Sequence, residues 1–568
     1  NVAGDQFLLD GYTSVSETAA RTNYFSPNLY AEYSRSFNKD HHFKLLVGFQ
    51  SEENKTRDLG ASRQGIIVPA LPVLAVTSGT DINGQTVAPV VTGTYADWAN
   101  SGYFGRLNYD YKGRYLLELN LRYDGTSRFR SDKQWNYFPS VSAGWNVARE
   151  SFWKNLEDYV NTLKFRASYG ELGNQNTTNW YPSYSTMPVG TANGTWLLNG
   201  AQPNTASAPA LISSSLTWER IRTVNFGVDI SFLNSRLNTS FDYFTRYTNN
   251  MVGPAVELPA DLGTAVPPSN NTDLKTYGFE FDLNWQDRLK NGLGYNIHLI
   301  LSDAQTEILK YPNPTGNLNT YREGTKTGDI WGFETGGIAK SQKEMDDHMA
   351  ALPNGGQNAL GNSWKAGDIM YQDVNGDGKI DAGASTTANH GDLVVIGNNT
   401  PRYSFGVDLS ADWKGFDVRA FFQGILKRDY FQGGSTFFGA SGQVWWSTAY
   451  TEHMDYFRDD PNHPFGQNLN AYYPRPLFNT TKNQNPQTRY LQNASYLRLK
   501  NLQIGYTLPA RMSKIIGTQK LRVYVSGENL LTVTKMSKVF DPETIDGGYK
   551  GAIYPLFKRF SLGASITF

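Results

Sequence analysis

The sequence predicts an all-β protein, a transmembrane antiparallel β-barrel, and three observations support this prediction. Apolar and polar residues alternate with a period of two along most of the 568 residues, which is typical of strands with one apolar and one polar face. About fifteen such segments of about 9 to 13 residues can be traced, the length that a tilted strand needs to cross a bilayer. Short and long connections alternate between them, as turns and loops do in outer-membrane barrels.

The composition of the chain excludes several other classes of protein. Lys and Arg number 52 and Asp and Glu number 52, for a formal net charge of zero, so no nucleic-acid partner is expected. The chain has no cysteine, which excludes disulfide scaffolds, thiol catalysis and cysteine-based metal sites. No apolar run reaches the roughly 18 to 20 residues of a membrane-spanning helix, so a crossing of the bilayer must use strands.

The strands are predicted in chain order from their alternating apolar positions. The clearest segments are 115–123, 163–169, 224–232, 277–285, 403–413, 416–422 and 560–568. Lys414-Gly415 separates two of them and predicts a two-residue hairpin turn. The apolar face of the final segment includes Phe560, Leu562, Ile566 and Phe568. This face is that of a lipid-facing strand, and it also resembles the C-terminal signal that barrel-assembly machinery reads.

The connections assign the two sides of the membrane. Short connections are predicted at 38–40, 111–114, 233–236, 287–291 and 414–415, and long ones at 52–100, 174–222, 251–274, 309–401, 430–494 and 533–558. With the long connections outside the cell, the last strand runs inward and the C-terminus is expected in the periplasm. An odd strand count and the absence of a leader in this sequence lead us to expect that the barrel starts before Asn1.

The polar face of the strands distinguishes a barrel from a soluble β-sandwich only in part, because apolar and polar residues alternate along the strands of both folds. The positions predicted to face the lumen are Arg106, Asn108, Asp110, Lys164, Arg166, Asp229, Asp242, Glu280, Asp282, Asn284 and Asp408. Such a set is too polar for a dry core, although it would suit the solvent face of a sandwich. Aromatic residues at strand ends beside short turns, such as Tyr111, Trp285 and Trp413, fit an interfacial girdle.

Several longer stretches resemble a known family. They are YFPSVSAGWNVARESFW (137–153), LKFRASYGELGNQ (163–175), KTYGFEFDLNW (275–285), GDIMYQDVNGDGKID (367–381), GNNTPRYSFGVDLSADWKGFDV (397–418), YLRLKNLQIGYTLP (496–509) and RVYVSGENLLT (522–532). In this order they resemble the C-terminal barrel of the SusC/RagA family, the TonB-dependent outer-membrane transporters of Bacteroidetes. The resemblance covers essentially all of residues 1–568 and implies a 22-stranded barrel, of which about fifteen strands are seen here, without the plug, TonB box and signal peptide.

The same resemblance implies a function without covalent chemistry. It implies energised import of nutrient oligomers, most often oligosaccharides and in some members peptides, across the outer membrane of a Gram-negative cell. The implied partners are a SusD-like surface lipoprotein, which closes over the extracellular face, and TonB-ExbB-ExbD, which act through the N-terminal part. The resemblance also allows a dimer of transporter and lipoprotein pairs. No enzyme is expected, because no G-x-S-x-G elbow, Walker loop or HExxH motif is present.

The sharpest local motif is DVNGDGKID at 373–381, which matches the start of an EF-hand-like loop. The ligands would be the side chains of Asp373, Asn375, Asp377 and Asp381 and the carbonyl of Lys379. The motif departs from the pattern at its twelfth position, where Ala384 stands in place of the bidentate Glu. Asp392, eight residues further on, could fold back and supply the missing carboxylate. We expect a structural Ca²⁺ here, inside the long connection 309–401; the alternative is a plain Asn, Asp and Gly turn cluster.

Aromatic residues in the long connections are candidate contacts for the substrate. They are Trp331, Trp445, Trp446, Tyr472 and Tyr473. Their ring faces could stack on sugars, while the alternative is that they pack the loops or meet the lipoprotein. Two other functions stay open at this point: a passive porin or adhesin barrel, which has the same strands without a plug, and a secreted soluble protein that binds glycans.

Overall fold

One large antiparallel sheet contains sixteen of the described strands, as the alternation predicts. The computed structural model describes residues 13–568 except 178, 188, 192–197, 199, 201, 207–208, 210, 214, 256–265, 441–446, 448, 479, 548–550, 552 and 555. Its strands are β1 (Ser14–Phe25), β2 (Asn28–Phe37), β3 (His41–Gln64), β4 (Val90–Tyr111), β5 (Tyr115–Thr126), β6 (Trp135–Asn146), β7 (Val160–Asn174), β8 (Val189–Thr191), β9 (Asn204–Ala206), β10 (Glu219–Phe232), β11 (Leu237–Gly253) and β12 (Ser269–Arg288). They continue as β13 (Gly294–Lys310), β14 (Asp329–Phe333), β15 (Thr335–Ile338), β16 (Ile369–Tyr371), β17 (Leu393–Asn398), β18 (Arg402–Trp413), β19 (Phe416–Lys427), β20 (Asp429–Phe431), β21 (Leu491–Asn493), β22 (Tyr496–Thr507), β23 (Lys520–Thr534) and β24 (Arg559–Thr567).

The α-helices are short and lie in the connections. In the described part of the chain they are α1 (Gln342–Ala350), α2 (Ser435–Phe438) and α3 (Ala510–Ile515). Among these helices none has the length and apolar character needed to cross a membrane.

The strand order follows the sequence order. The sheet runs β1-β3-β4-β5-β6-β7-β10-β11-β12-β13-β18-β19-β22-β23-β24, and β2 also pairs with β3. β1 and β2 lie end to end along β3, with Phe25 opposite Glu53 and Asn28 opposite Gln50. Pro27 separates them because it has no N–H to donate to the ladder. With β1 and β2 counted as one position, the sheet has fifteen positions, which confirms the prediction.

The connections along this order alternate between the two ends of the strands, and they are mostly short at one end and mostly long at the other. At one end of the strands, which we call the turn end, lie 38–40, 112–114, 147–159, 233–236, 289–293, 414–415 and 508–519. At the other, the loop end, lie 65–89, 127–134, 175–218, 254–268, 311–401, 428–495 and 535–558. The turn at Lys414-Gly415 has φ values of 47° and 90°, as in a type I′ hairpin, which confirms the predicted turn.

The connection predicted at 52–100 is wrong in its bounds. β3 and β4 stay paired without a break from Ser51 opposite Ser101 to Ser62 opposite Val90, and the connection is only 65–89. Residues 52–58 of β3 are all polar or charged, so no apolar face marks the continuation of the strand in the sequence. The pairing therefore extends well beyond the apolar band of the sheet.

Aromatic side chains form two bands on the apolar face of β4 to β6. Near the turn end the band consists of Tyr109, Tyr111, Tyr115 and Trp145, and toward the loop end it consists of Tyr103, Tyr123, Trp135 and Tyr137. In the second band the rings of Tyr123 and Tyr137 are 4.4 Å apart. Tyr103 and Tyr111 are eight residues apart on β4, which in a strand tilted by about 35 to 45° is a height of about 19 to 22 Å. This spacing is slightly less than the height of the apolar band of an outer-membrane barrel, which is about 25 Å.

Candidate functional site

The concave face of the sheet carries the polar positions of the strands. A recess of about 630 Å³ on this face is lined by Asp282, Asn284, Asn296, His298, Asp408, Ser410 and Arg419. Three of the predicted lumen positions, Asp282, Asn284 and Asp408, are in this set. The exposed apolar positions, such as Leu409 at 38% and Ile297 at 42% exposure, alternate with them and face the other way.

One guanidinium on the concave face binds carboxylates from two strands. Arg166 on β7 donates from Nε and Nη2 to Asp229 on β10, both at 2.9 Å. It also donates from Nη1 and Nη2 to Asp242 on β11, at 3.0 and 2.8 Å. β10 lies between β7 and β11, and Gly227 is the residue between Arg166 and Asp242. A Cβ on Gly227 would lie 2.5 Å from Asp242 Oδ1 and 2.7 Å from Arg166 Cζ, so the ion pair crosses β10 only because this residue has no side chain.

The same arrangement of a glycine below an ion pair occurs twice more. In each case the glycine is on the middle strand of three, and the Arg and Asp are on the strands to either side. The glycines and their ion pairs are Gly294 with Arg288 and Asp412, and Gly505 with Arg522 and Asp417. The wall therefore presents arginines whose charge is already matched by carboxylates of the wall itself.

At the loop end, three long connections pack together into one body. We call this body the cap; it consists of the described residues of 311–401, 428–495 and 535–558. Its core contains Phe333, Met345, Trp364, Ile369, Tyr371, Ile380, Phe437, Phe457, Tyr473, Tyr490, Met536, Phe540 and Ile545, all less than 9% exposed. Because residues of all three connections share this core, the cap has a defined shape of its own.

A buried ion cluster joins the first two connections of the cap. The carboxylate of Asp368 is fully buried and accepts hydrogen bonds from Arg475 Nε at 2.8 Å and Nη2 at 2.9 Å. Lys482 Nζ lies 2.8 Å from it, and Asn483 Nδ2 donates to it at 2.9 Å. Burial raises the pKa of Asp368, but the hydrogen bonds from Arg475, Lys482 and Asn483 outweigh it and hold this pKa below its usual value.

The third connection is joined to the sheet by a second charged cluster. Arg498 on β22 is 2% exposed and donates to Asp541 at 2.7 Å and to Glu543 at 2.6 Å. Lys500 Nζ also donates to Glu543, at 2.8 Å. These contacts hold the start of the connection 535–558 against the wall.

The predicted aromatic contacts lie in different surroundings. Tyr473 is 4% exposed and packs against Tyr490 in the core of the cap, which is the loop-packing role given above as the alternative. Tyr472 is half-buried, and its hydroxyl accepts a hydrogen bond from Gln492 Nε2 at 2.9 Å. Trp445 and Trp446 lie outside the described residues. The role of Tyr472, Trp445 and Trp446 in binding a substrate stays a prediction.

Trp331 lines a cleft of about 380 Å³ where β13 enters the connection 311–401. The guanidinium of Arg322 lies over the Trp331 ring at 5.0 Å, and the His390 ring is 6.0 Å away. Tyr321 is 50% exposed in the wall of the same cleft and meets Tyr311 edge to face at 5.4 Å. The aromatic ring that the cleft offers to a ligand is therefore Tyr321, a residue that the sequence did not single out.

The loop 373–381 holds its carboxylates with its own backbone. Asp373 accepts from the N–H groups of Gly376 at 2.7 Å and Gly378 at 2.8 Å. Asp381 accepts from Lys379 Nζ at 2.6 Å. Asp392 folds back onto the loop, as expected, and its buried carboxylate accepts from the N–H groups of Val374, Asn375 and Asp381 at 2.8, 3.4 and 2.9 Å. No group of three or more His, Asp or Glu side chains within the described ranges is placed to hold a metal ion, so the Ca²⁺ site stays a prediction.

The last strand leaves its aromatic face open. In the structure Phe560, Leu562, Ile566 and Phe568 are 78%, 82%, 50% and 82% exposed. β24 pairs with β23 on one side, and within the described residues it forms the edge of the sheet. The assembly signal assigned to these residues stays a prediction.

Comparisons with known proteins agree with this architecture. A protein-family model described as "TonB dependent receptor-like, beta-barrel" matches residues 3–530. The TonB-dependent receptor P3 of Formosa agariphila is 27% identical over 96% of this chain and 52% of its own length. The TonB-dependent receptor SusC of Bacteroides thetaiotaomicron is 26% identical over 82% of this chain and 43% of its own length.

Among solved structures, the RagAB peptide transporter has a similar fold. It superimposes with a TM-score of 0.74 at 24% identity, over 98% of this chain and 56% of that chain. The chain thus spans about half the length of the curated relatives that it matches. The large sheet, its strand order and its long connections correspond to part of a larger barrel of this kind.

Proposed function

Since this chain belongs to the TonB-dependent receptor-like β-barrel family, we propose that it forms much of the wall of an outer-membrane importer of nutrient oligomers. TonB supplies the energy through a part of the protein outside this sequence. The arrangement of the sheet supports this proposal: a polar, charge-paired concave face, a convex face with two aromatic bands, and a cap at one end only. Such a wall suits a water-filled passage with one side specialised for capture.

The cargo that we propose is an oligosaccharide. The exposed ring of Tyr321, with Tyr311 beside it, offers a stacking surface for a sugar in this cleft, which residues of the cap line. Peptide import by the same mechanism is the second candidate. The guanidinium of Arg322 in the same cleft favours it, because every unblocked peptide ends in a carboxylate.

The partners and the orientation belong to the same proposal. A SusD-like lipoprotein covers the cap from outside, and pairs of transporter and lipoprotein form a dimer. The long connections then face the outside of the cell, and β24 ends at the turn end, in the periplasm. The exposed face of β24 serves as the assembly signal. Ca²⁺ at 373–381 acts as a structural ion that fixes this part of the cap.

An uptake assay in cells separates this proposal from its rivals. Cells carrying the native gene are given a fluorescent oligosaccharide or a fluorescent peptide, with and without depletion of TonB. We expect surface binding to persist and uptake to stop when TonB is removed. Uptake that continues without TonB would indicate a passive porin, and recovery of the protein in the soluble fraction would indicate a secreted binding protein.

A further inference from the structure

The cleft beside Trp331 contains a buried positive charge without a carboxylate partner. Arg322 is only 9% exposed. Among the described residues, no carboxylate oxygen lies within 4.0 Å of its guanidinium, which is the distance limit of an ion pair. The two acidic residues nearest in sequence bind elsewhere: Glu323 accepts from Tyr311 N at 3.3 Å, and Asp329 accepts from Asn398 Nδ2 at 2.9 Å. A buried charge of this kind is costly unless a counter-ion reaches it.

Part of the guanidinium is held and part is free. Nη1 donates to the carbonyls of Leu318 at 2.9 Å and Thr320 at 3.4 Å. Among the described residues neither Nε nor Nη2 has a hydrogen-bond partner, and neither is sealed away from solvent. This free edge of a guanidinium is the pair of donors that binds a carboxylate through two parallel hydrogen bonds.

The surroundings of Arg322 favour an anion and restrict its size. Lys326 lines the same cleft and, in the part of the chain that the structure describes, has no ion pair, so the lining carries two cations against the single carboxylate of Asp329. Trp331 fixes the plane of the guanidinium from one side. At about 380 Å³ the cleft is near the lower end of the range for small-molecule sites, about 300 to 1,000 Å³. It can take one or two residues of an oligomer, while the rest of the oligomer stays outside.

We propose that this cleft binds a carboxylate of the imported oligomer, with Arg322 as the anchoring residue and Tyr321 as the apolar surface beside it. The carboxylate comes from either a uronic acid of an oligosaccharide or the C-terminus of a peptide. This inference rests on the proposed import function, and it adds that the preferred cargo is anionic at one residue. Neutral glycans and peptides blocked at the C-terminus are the poor ligands.

The test uses two pairs of probes that differ only in the carboxylate. The native protein, purified with its partners from outer membranes, is titrated with oligogalacturonate and its methyl ester, and with a short peptide and its C-terminal amide. We expect the free acid of at least one pair to bind about tenfold tighter or more than its neutral form, as for a charge-assisted hydrogen-bonded pair. The pair that shows the difference identifies the source of the carboxylate.

Variants assign the difference to Arg322. Arg322→Met should abolish the preference for the acid, and Arg322→Lys should keep part of it, while Lys343→Met should change nothing. Lys343 is a fair control because it lies in the same connection, is 82% exposed and pairs only with Asp347 on its own helix. The Arg322→Lys protein also shows whether a loss in Arg322→Met comes from misfolding of the cleft, because it keeps the charge.

The results that would overturn the inference are distinct from those that would overturn import. Equal affinity for acid and neutral forms, no binding of either acid, or an unchanged preference in Arg322→Met would each overturn the carboxylate site. Import itself would still stand if TonB-dependent uptake of a neutral oligomer were observed. Conversely, tight binding of the acid without TonB-dependent uptake would keep the site and reject import.

Discussion

Arg166 and Asp242 form an ion pair across a strand that lies between them. Arg166 is on β7 and Asp242 is on β11, yet Nη2 of the arginine is 2.8 Å from Oδ2 of the aspartate. Gly227 on the intervening β10 leaves the space. With the glycines at 294 and 505, this makes three places where a missing side chain lets charges of the wall neutralise each other. A passage lined in this way offers hydrogen bonds to a moving cargo but no unpaired charges at these three places that would bind the cargo tightly.

Substitution of Gly227 tests this arrangement. Gly227→Ala places a Cβ against both charged groups, so we expect it to separate the ion pair and to lower the free energy of unfolding by about 1 to 3 kcal/mol. Gly105→Ala is the matched control, because its Cβ would meet only the Leu46 carbonyl, at 3.8 Å. Denaturant unfolding of the native protein in detergent measures both. Equal losses in the two variants would contradict the role of Gly227.

The assignment of the two faces is tested by a charge placed on each. Leu409→Arg puts a cation on the convex face near the middle of β18, and we expect it to cost about 2 to 4 kcal/mol in the membrane. Ser404→Arg, on the same strand but on the concave face, should cost about 0.5 kcal/mol or less. The yield of heat-modifiable protein in outer membranes and its unfolding in lipid report both effects. A larger loss for Ser404→Arg would reverse the assignment.

The buried Asp368 should make the cap sensitive to acid. Its pKa in the folded protein is below the usual value of about 3.9, so its contribution to stability is full above pH 4 and is lost as the pH falls through the folded pKa. We therefore expect limited proteolysis of the cap to accelerate only below about pH 4. Asp368→Asn should loosen the cap already at pH 7, by about 3 to 5 kcal/mol, because Arg475 and Lys482 lose their counter-ion.

A matched exposed variant separates this effect from a general response to acid. Asp347→Asn removes a carboxylate from the same connection, but Asp347 is 65% exposed and pairs only with Lys343. It should leave the pH dependence of cleavage unchanged. A cap that is equally resistant in Asp368→Asn and in the unaltered protein at pH 7 would show that the buried cluster does not hold the connections together.

Removal of calcium tests the loop 373–381. If the loop holds Ca²⁺, EDTA should expose it to proteolysis and added Ca²⁺ should restore protection. The double variant Asp373→Asn with Asp377→Asn should be cleaved as readily with Ca²⁺ as without it, because two hard oxygen ligands are weakened. Asp459→Asn, at an exposed position in another connection, serves as the control. Identical cleavage of the unaltered protein with EDTA and with Ca²⁺ would reject the site.

The strands were predictable from sequence because each strand has apolar residues on one face and polar residues on the other, so the two faces alternate along its own sequence. Leu409 and Asp408 were assigned to opposite faces correctly, and the Lys414-Gly415 turn was placed correctly. Contacts between strands were not predictable in this way. Asp408 accepts a hydrogen bond from Arg419 Nε at 2.9 Å, a contact that alternation alone does not reveal.

The connections were the least predictable part. Alternation carries no information on how 311–401 folds against 428–495, so neither the burial of Tyr473 nor the pairing of Asp368 with Arg475 and Lys482 has a sequence signal. Arg322 is likewise one arginine among many until its burial is known. The glycines of the wall are different: with strand registers in hand, a glycine between an Arg and an Asp at the polar face is a readable signal.

The most direct test of the account is the side of the membrane on which each end of the sheet lies. Residues 1–568 contain no cysteine, so Lys343→Cys in the cap and Lys290→Cys in a turn each introduce one thiol at a known place in this sequence, and the unaltered protein gives the background labelling. Intact cells are treated with a membrane-impermeant maleimide, and then permeabilised cells are treated in the same way. We predict that the cysteine at 343 is labelled on intact cells and that the cysteine at 290 is labelled only after permeabilisation. The reverse pattern, or equal labelling of both on intact cells, would contradict an importer whose cap faces the outside.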